Sequence, residues 1–332
     1  MATIKQIADI LGLSNATVSR VLNHDPDFSV SEETRKAIFK TAEEIGYKKR
    51  QINPKIDNIA LLYWIEKDED SEELDDIFNK SILTEIEKQA KSKNIHFTKY
   101  IKRDGIHAVP KDINAFIAIG WFDLYEIEYI KKITHKGVFI NTRPDESVFD
   151  SVQANHESMV RQIVDYYVEK GHKSIGFIGA PDYDMKTHKP LMDVREWSFR
   201  QTASYYNLLN EDHIFIGNGF TVKEGYRISL EAIDRLKDKL PTAICVADDA
   251  LAIGALQAFN ERGIKIPDRV AFFSINDIGI AQYVSPSLTT FHIDIKTICS
   301  SAIDLLRERV LENRTTTKTV YVNGTPIFRK SC

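Results

Sequence analysis

Residues Thr3 to Asn23 read TIKQIADILGLSNATVSRVLN, two short helical patterns separated by a glycine turn. Apolar Ile4, Ile7, Ala8 and Leu11 recur at three- and four-residue spacing, which gives the first segment one buried face. Gly12 then stops that helix, and Ser14 stands where a hydroxyl can cap the open amides of a second helix beginning at Asn15. On the second helix Val18, Val21 and Leu22 share one side, while Asn15, Ala16, Ser19 and Arg20 share the other. This is the format of a helix-turn-helix, whose second helix enters the major groove of DNA. Arg20 can present two donors to a guanine, Asn15 can pair with an adenine and Ala16 can touch a thymine methyl. Thr17 and Ser19 suit phosphates, and Thr3, Ser14 and Asn23 complete the candidate DNA-contact set. The plainer reading is a helical hairpin with a wet polar face. The coincidence of turn, cap and polar reading face favours DNA.

A third helix is expected from Ser31, with Thr34, Ala37, Ile38, Thr41, Ala42 and Ile45 inward and Gly46 at its end. The three helices make an all-α headpiece over residues 1–46, followed by a linker over 47–58. Although the whole chain carries a net charge of -4, between Arg35 and Lys55 the basic Arg35, Lys36, Lys40, Lys48, Lys49, Arg50 and Lys55 stand against only Glu43 and Glu44. Such a local excess suits a phosphate backbone, with salt-sensitive affinity as its signature; a solvated linker is the alternative.

From Ile59 onward the pattern changes to apolar runs alternating with amphipathic stretches. The runs are Ile59 to Ile65, Ala115 to Ile119, Val138 to Ile140, Ile175 to Ile178, Ala243 to Val246 and Val270 to Ile275. Between the first two, Ile77, Phe78, Ile82, Leu83, Ile86 and Ala90 keep helical spacing. Short buried strands joined by helices imply parallel sheets with right-handed crossovers, and so many repeats imply two α/β lobes with a ligand cleft between them. The core is expected over 59–332. One lobe would take about 59–156 with 292–318, the other about 157–291 with 319–332.

Composition limits the alternatives. The chain's 332 residues, 43% of them hydrophobic, can fill more than one core. The three cysteines, Cys245, Cys299 and Cys332, offer neither a disulfide framework nor a zinc site. No apolar run is long enough to span a bilayer and the N-terminal residues lack a secretory pattern, so a cytoplasmic location is expected. There is no GxxxxGK[ST] loop, GxSxG elbow or HExxH pair, so neither enzyme activity nor a cofactor or metal is expected. The acidic run from Glu66 to Asp76 lacks the glycine and ligand spacing of an EF-hand.

The opening TIKQIADILGLSNATVSRVLN resembles the headpiece of the LacI/GalR family of bacterial transcription regulators. The resemblance continues in order through GHKSIGFIGAP (Gly171 to Pro181), DVRE (Asp193 to Glu196), PTAICVADDALAIGALQAFNERGIKIPDRV (Pro241 to Val270), FFSINDI (Phe272 to Ile278) and PSLTT (Pro286 to Thr290). The wording around REWSF, SINDI and NHDPDF is nearest to the galactoside-responsive branch. The resemblance implies a two-lobed periplasmic-binding-protein-like core, a homodimer on operator DNA, and a sugar effector such as galactose, lactose or a related galactoside that releases a repressor. It implies Arg195 as the residue gripping sugar hydroxyls, with Asp248 and Asn276 as a polar pair in which Asp and Asn have exchanged places relative to most relatives. Asn141 stands where many relatives carry Asp. Trp64, Trp121 and Phe220 are candidate ring platforms for a sugar, with core packing as the alternative.

In the linker, relatives carry a hinge helix that wedges a leucine into the minor groove. Ile56 occupies the wedge position here, while Pro54 falls inside the expected helix and opposes it. Other readings remain open: a co-repressor-dependent regulator, a catabolite regulator with a phosphoprotein partner, and a sugar-binding protein without gene control.

Overall fold

A computed structural model describes residues 2–22, 28–47, 55–65 and 77–332. It contains two compact units, Met1–Pro54 and Lys55–Cys332.

In the first unit, α1 (Ile4–Leu11) opens on a capping box. Thr3 Oγ1 accepts from the Gln6 amide at 3.2 Å and the Thr3 amide donates to Gln6 Oε1 at 2.8 Å. The helix ends at Gly12, whose φ of 64° is the left-handed conformation that glycine adopts without strain. Ser14 Oγ then accepts from the Thr17 amide at 3.0 Å and starts α2 (Asn15–Leu22). Ser31 caps α3 (Glu32–Glu44) through the Thr34 amide in the same way. The three helices close on Ile7, Ala8, Val18, Val21, Leu22, Ile38 and Ala42, a core made from one face of each.

The second unit holds two six-stranded sheets. The first runs β13-β5-β4-β3-β1-β2 and is parallel throughout: β1 (Ile56–Trp64), β2 (Ile95–Ile101), β3 (Ala115–Gly120), β4 (Gly137–Ile140), β5 (Asp150–Ala154) and β13 (Thr319–Val322). Its central strands are buried on both faces. Ile59, Leu61 and Tyr63 of β1 enter one core, while Ala60, Leu62 and Trp64 enter an aromatic core with Phe116, Phe122, Phe139 and Phe149. Helices α4 (Ile77–Ser92), α5 (Leu124–Lys131) and α10 (Ile295–Leu311) belong to this lobe.

The second sheet runs β14-β12-β11-β10-β6-β9, with β6 (Ile175–Gly179), β9 (Ile214–Ile216), β10 (Ala243–Val246), β11 (Ala271–Asn276) and β12 (Thr289–His292) parallel. Only β14 (Thr325–Ile327) is antiparallel to its neighbour. Helices α6 (His156–Glu169), α7 (Val194–Tyr205), α8 (Val222–Leu236) and α9 (Asp249–Glu261) accompany this sheet. A two-stranded hairpin, β7 (Asp182–Tyr183) and β8 (Pro190–Leu191), projects after β6. The chain passes between lobes from β5 to α6, from β12 to α10 and from β13 to β14. An Asn155 Nδ2 to Asn323 Oδ1 bond of 2.8 Å ties the first and last of these passages together.

Two boundaries differ from those expected. Residues 319–322 pair with β5 and extend the first sheet, so the return to the second lobe comes after Val322 instead of before Thr319. Strand β1 starts at Ile56, inside the expected linker, because Ile56 pairs with Ile95 and is 3% exposed in the lobe core. A buried strand residue is not available to a DNA groove, so the wedge assignment of Ile56 is corrected. Pro54 lies outside the described residues.

Asp249 opens α9 from a fully buried position. Its carboxylate accepts from Ser274 Oγ, from Thr290 Oγ1 at 2.7 Å and from the Ile278 amide at 2.8 Å, tying α9 to the ends of β11 and β12. Burial outweighs these donors and pushes its pKa up to about 7. The folded value is raised above the ordinary carboxylate value of 3.8, so this group's contribution to stability is full in acid and is lost as pH rises toward 7. Asp249→Asn imitates the protonated form. Its stability relative to wild type is expected to improve by on the order of 2 kcal/mol between pH 5 and pH 8. Melting curves across that range check this; a pH-independent difference refutes it.

Candidate functional site

In the headpiece, the buried face of α2 turns its opposite face outward. Asn15, Ala16 and Arg20 are exposed and Thr17 and Ser19 half-buried, all within the two turns after the Ser14 cap. Thr3 and Ser14 are engaged as caps, and Thr17 Oγ1 lies 2.9 Å from Ser14 Oγ. The Arg20 guanidinium stacks 5.2 Å from the centre of the Phe28 ring, which limits its conformations before any base is met. Asn23 lies outside the described residues. Arg20→Ala is expected to weaken operator binding by roughly 1–3 kcal/mol and to relax discrimination against random DNA. Competition binding with both duplexes measures this, and an unchanged ratio removes Arg20 from base reading.

In the core, a cleft of about 470 Å³ lies between the lobes. From the first lobe come Trp121 after β3, Asn141, Thr142 and Arg143 after β4, and Gln153 near the end of β5. All stand at the carboxyl ends of parallel strands, where ligands of open α/β sheets bind. Gly120 holds Trp121 there: its φ is 108°, and a Cβ would collide with the Trp64 carbonyl oxygen. Asn141 is left-handed at φ 59° and its Oδ1 accepts from the Ala154 amide at 3.1 Å, which leaves its amide hydrogens for another acceptor. Gln153 donates to the Thr142 carbonyl at 2.7 Å. Thr142 Oγ1 is buried with no hydrogen-bond partner among the described residues. A buried orphan hydroxyl costs roughly 1–3 kcal/mol, which a ligand hydroxyl in the cleft would recover.

From the second lobe come His156, the hairpin, Asp193, Arg195 and Phe220. Asp193 caps α7 and grips the Arg195 side chain through two bonds, Nε to Oδ1 at 2.7 Å and Nη2 to Oδ2 at 2.9 Å. A third Arg195 bond reaches the Ala247 carbonyl at 3.2 Å, so three of the five guanidinium hydrogens hold the fork in place. The Phe220 ring lies beneath it, 4.2 Å from ring centre to guanidinium carbon. Burial works against the charge on Asp193, but the adjacent Arg195 prevails and keeps the carboxyl below its usual range. For His156, burial and then the Arg195 charge push the pKa down to about 3, with Asp193 opposing. The imidazole is therefore neutral near pH 7, with one donor and one acceptor. The cleft thus offers a fixed cation fork, neutral amides, an imidazole, an unpaired hydroxyl and aromatic faces, a set suited to a polar, hydroxyl-rich molecule.

Trp121, Asn141, Arg195 and Phe220 are brought together here. Trp64 is not: it is wholly buried, stacked on Phe122 at 5.2 Å, and its Nε1 donates to Glu126 Oε1 at 2.6 Å. It is a core residue behind the cleft wall, which corrects the platform assignment. Asp248 caps α9 by accepting from the Leu251 amide at 2.9 Å and its charge acts on the Arg195 guanidinium, while Asn276 ends β11 with φ 119°; neither is among the residues that line the cavity itself. Thr142, Gln153 and His156 were not foreseen. Their only sequence signal is a polar residue after or late in a strand, or at a helix start, which many other residues of the chain share.

Residues 3–49 match the family described as bacterial regulatory proteins, lacI family, and residues 164–332 match a periplasmic binding protein-like domain. The HTH-type transcriptional regulator GanR of Bacillus subtilis strain 168 is 47% identical over 331 residues, spanning 100% of this chain and 99% of that protein. The chain belongs to the LacI family. Another member, the HTH-type transcriptional regulator GalR of Lacticaseibacillus casei, is 32% identical over 334 residues, covering 100% of this chain and 99% of the other. Among solved structures, the transcriptional regulator CelR–cellobiose complex superposes with a TM-score of 0.69 at 20% identity over the whole of both chains. A lac repressor dimer bound to operator and the anti-inducer ONPF gives 0.68 at 17% identity, over 99% of this chain and 98% of that one. At those identities the likeness establishes the fold. This LacI-family chain is a DNA-binding transcription regulator with a ligand-binding core, and none of its described helices is long and apolar enough to cross a membrane.

Proposed function

We propose that this regulator is a repressor of a sugar-utilisation operon, released from DNA when a galactose-type sugar or galactoside enters the interlobe cleft. The observation that carries the reading is the Asp193–Arg195–Phe220 arrangement. It holds two guanidinium hydrogens ready over an aromatic face, beside the unpaired Thr142 hydroxyl and neutral His156. A sugar supplies both halves of the complement, hydroxyls for the polar groups and C–H faces for the rings. The effector acts through whichever lobe arrangement it binds better, and it shifts DNA affinity by no more than that preference. Two copies, each presenting one α2, would read the halves of a pseudo-palindromic operator.

The test is a melting screen of the purified chain with monosaccharides and disaccharides, galactose and lactose first, followed by operator release with each hit. A sugar that raises the melting point and also frees the operator fragment is the expected result. If no sugar does either, the reading fails.

A further inference from the structure

The hairpin between β6 and α7 belongs to the second lobe, yet its tip is docked on the first. Its base is fixed at home: Asp182 pairs with Leu191, Tyr183 with Pro190, and the Tyr183 hydroxyl donates to the Asn218 carbonyl at 3.2 Å. The turn is rigid in itself. Asp184 Oδ1 accepts from the Thr187 amide and hydroxyl, both at 2.6 Å, and from the Lys186 amide at 3.2 Å, while the His188 amide returns to the Asp184 carbonyl at 2.8 Å.

Three contacts then cross the cleft. The Leu124 amide donates to the Met185 carbonyl at 2.9 Å. The Met185 side chain packs against the first lobe's aromatic core, and His188 meets the Trp121 ring edge-on at 5.3 Å between centres. The hydrogen bond has a particular logic. Leu124 is the first residue of α5, so its amide has no partner within the helix, and the Asp123 side chain is already used on the Glu126 amide. The second lobe supplies the missing acceptor, at the positive end of the helix dipole. Met185 adds a flexible, polarisable side chain that can seat and unseat without demanding one geometry.

We propose that the 182–191 hairpin is a strap closing the cleft and that Met185 is its latch, a specificity-determining residue that decides which ligands are retained. The inference rests on the reading of the cleft as the effector site. Ligands that fit beneath the docked strap are held. Those that force Met185 out of the aromatic core lose the closed state and leave quickly.

The full chain, without ligand, is compared with Met185→Ser and Met185→Leu by hydrogen exchange. In Met185→Ser the peptides containing Leu124 and residues 182–191 are expected to exchange about tenfold faster, with Met185→Leu close to wild type. Unchanged exchange in Met185→Ser overturns the strap. Galactose and lactose then serve as probes of retention. Whichever raises the wild-type melting point should dissociate about tenfold faster from Met185→Ser. Equal dissociation rates overturn the role of Met185 in retention. If neither those sugars nor others stabilise the wild type, the effector reading fails, while the exchange result still decides whether the hairpin latches.

Discussion

Arg195→Ala is expected to remove the sugar response, lowering effector affinity by at least about a hundredfold while operator binding without sugar persists. The size follows from what is lost. Hydrogen bonds from a charged donor contribute roughly 1.5–3 kcal/mol each, and the fork has two hydrogens left for a ligand. The variant keeps the cap of α7, because the residue 195 amide still donates to Asp193 Oδ1. It leaves the Asp193 carboxylate in a half-dry cleft without its cation, so a modest fall in melting point accompanies the functional loss. Arg195→Lys should fail almost as badly, since an ammonium cannot make the two-point contact with Asp193 while lying over Phe220. Titrations of operator release decide the matter. Release of either variant at the wild-type sugar concentration would remove Arg195 from the site.

Asp150→Ala should give the largest loss of stability in the core, roughly 3–5 kcal/mol, read as a shift of the core transition in urea. Asp150 is wholly buried at the start of β5. Its oxygens accept from Arg309 Nε and Nη2 at 3.0 Å each, from Arg314 Nη2 at 2.5 Å and from the Lys318 amide at 2.8 Å. One carboxylate therefore joins β5, the end of α10 and the approach to β13. Removing it strands Arg309, 4% exposed, with backbone carbonyls as its remaining partners. Burial opposes the charge on Asp150, but the bonds from Arg314 and Arg309 prevail and hold its pKa below the ordinary 3.8. Its contribution to stability is thus present above that value and disappears as pH falls through the lower folded one. A loss under 1 kcal/mol would refute the account.

The parts of this molecule that could be read from the chain share a physical cause. The headpiece helices announce themselves because caps, a left-handed glycine and a helical period all act within a few residues of each other. Strands such as β3 and β10 are legible because a parallel strand covered on both faces must be continuously apolar. In the two large sheets the strands that escaped notice are of two kinds: β2, β9, β13 and β14 lie at sheet edges, where half-exposed or very short segments carry no such run, while β5 and β12 lie inside but read DSVQA and TTFH, too polar to stand out. Little of the cleft could be read from the residues alone. Phe220 and Trp121 stand out as rings and Arg195 only through the family resemblance, whereas Thr142 and His156 come to line the cleft solely because the topology delivers two strand ends and a helix start to one place. Trp64, a candidate ring platform with core packing as its alternative, takes the alternative: it is wholly buried and Glu126, distant in sequence, occupies its N–H.

Strands β13 and β14 show how differently the two units are put together. Strand β13 finishes the edge of one sheet and β14 that of the other, and Ser331 stitches the floor beneath them. Its hydroxyl donates to the Phe272 carbonyl and accepts from the Thr289 amide, each at 2.8 Å. Both lobes are therefore completed by strands more than 150 residues removed from the strands or helices that begin them, whereas the DNA-reading unit closes within residues 1–54. The order of the chain thus makes the reading unit a local product and the sensing unit a product of segments brought back from far along the sequence.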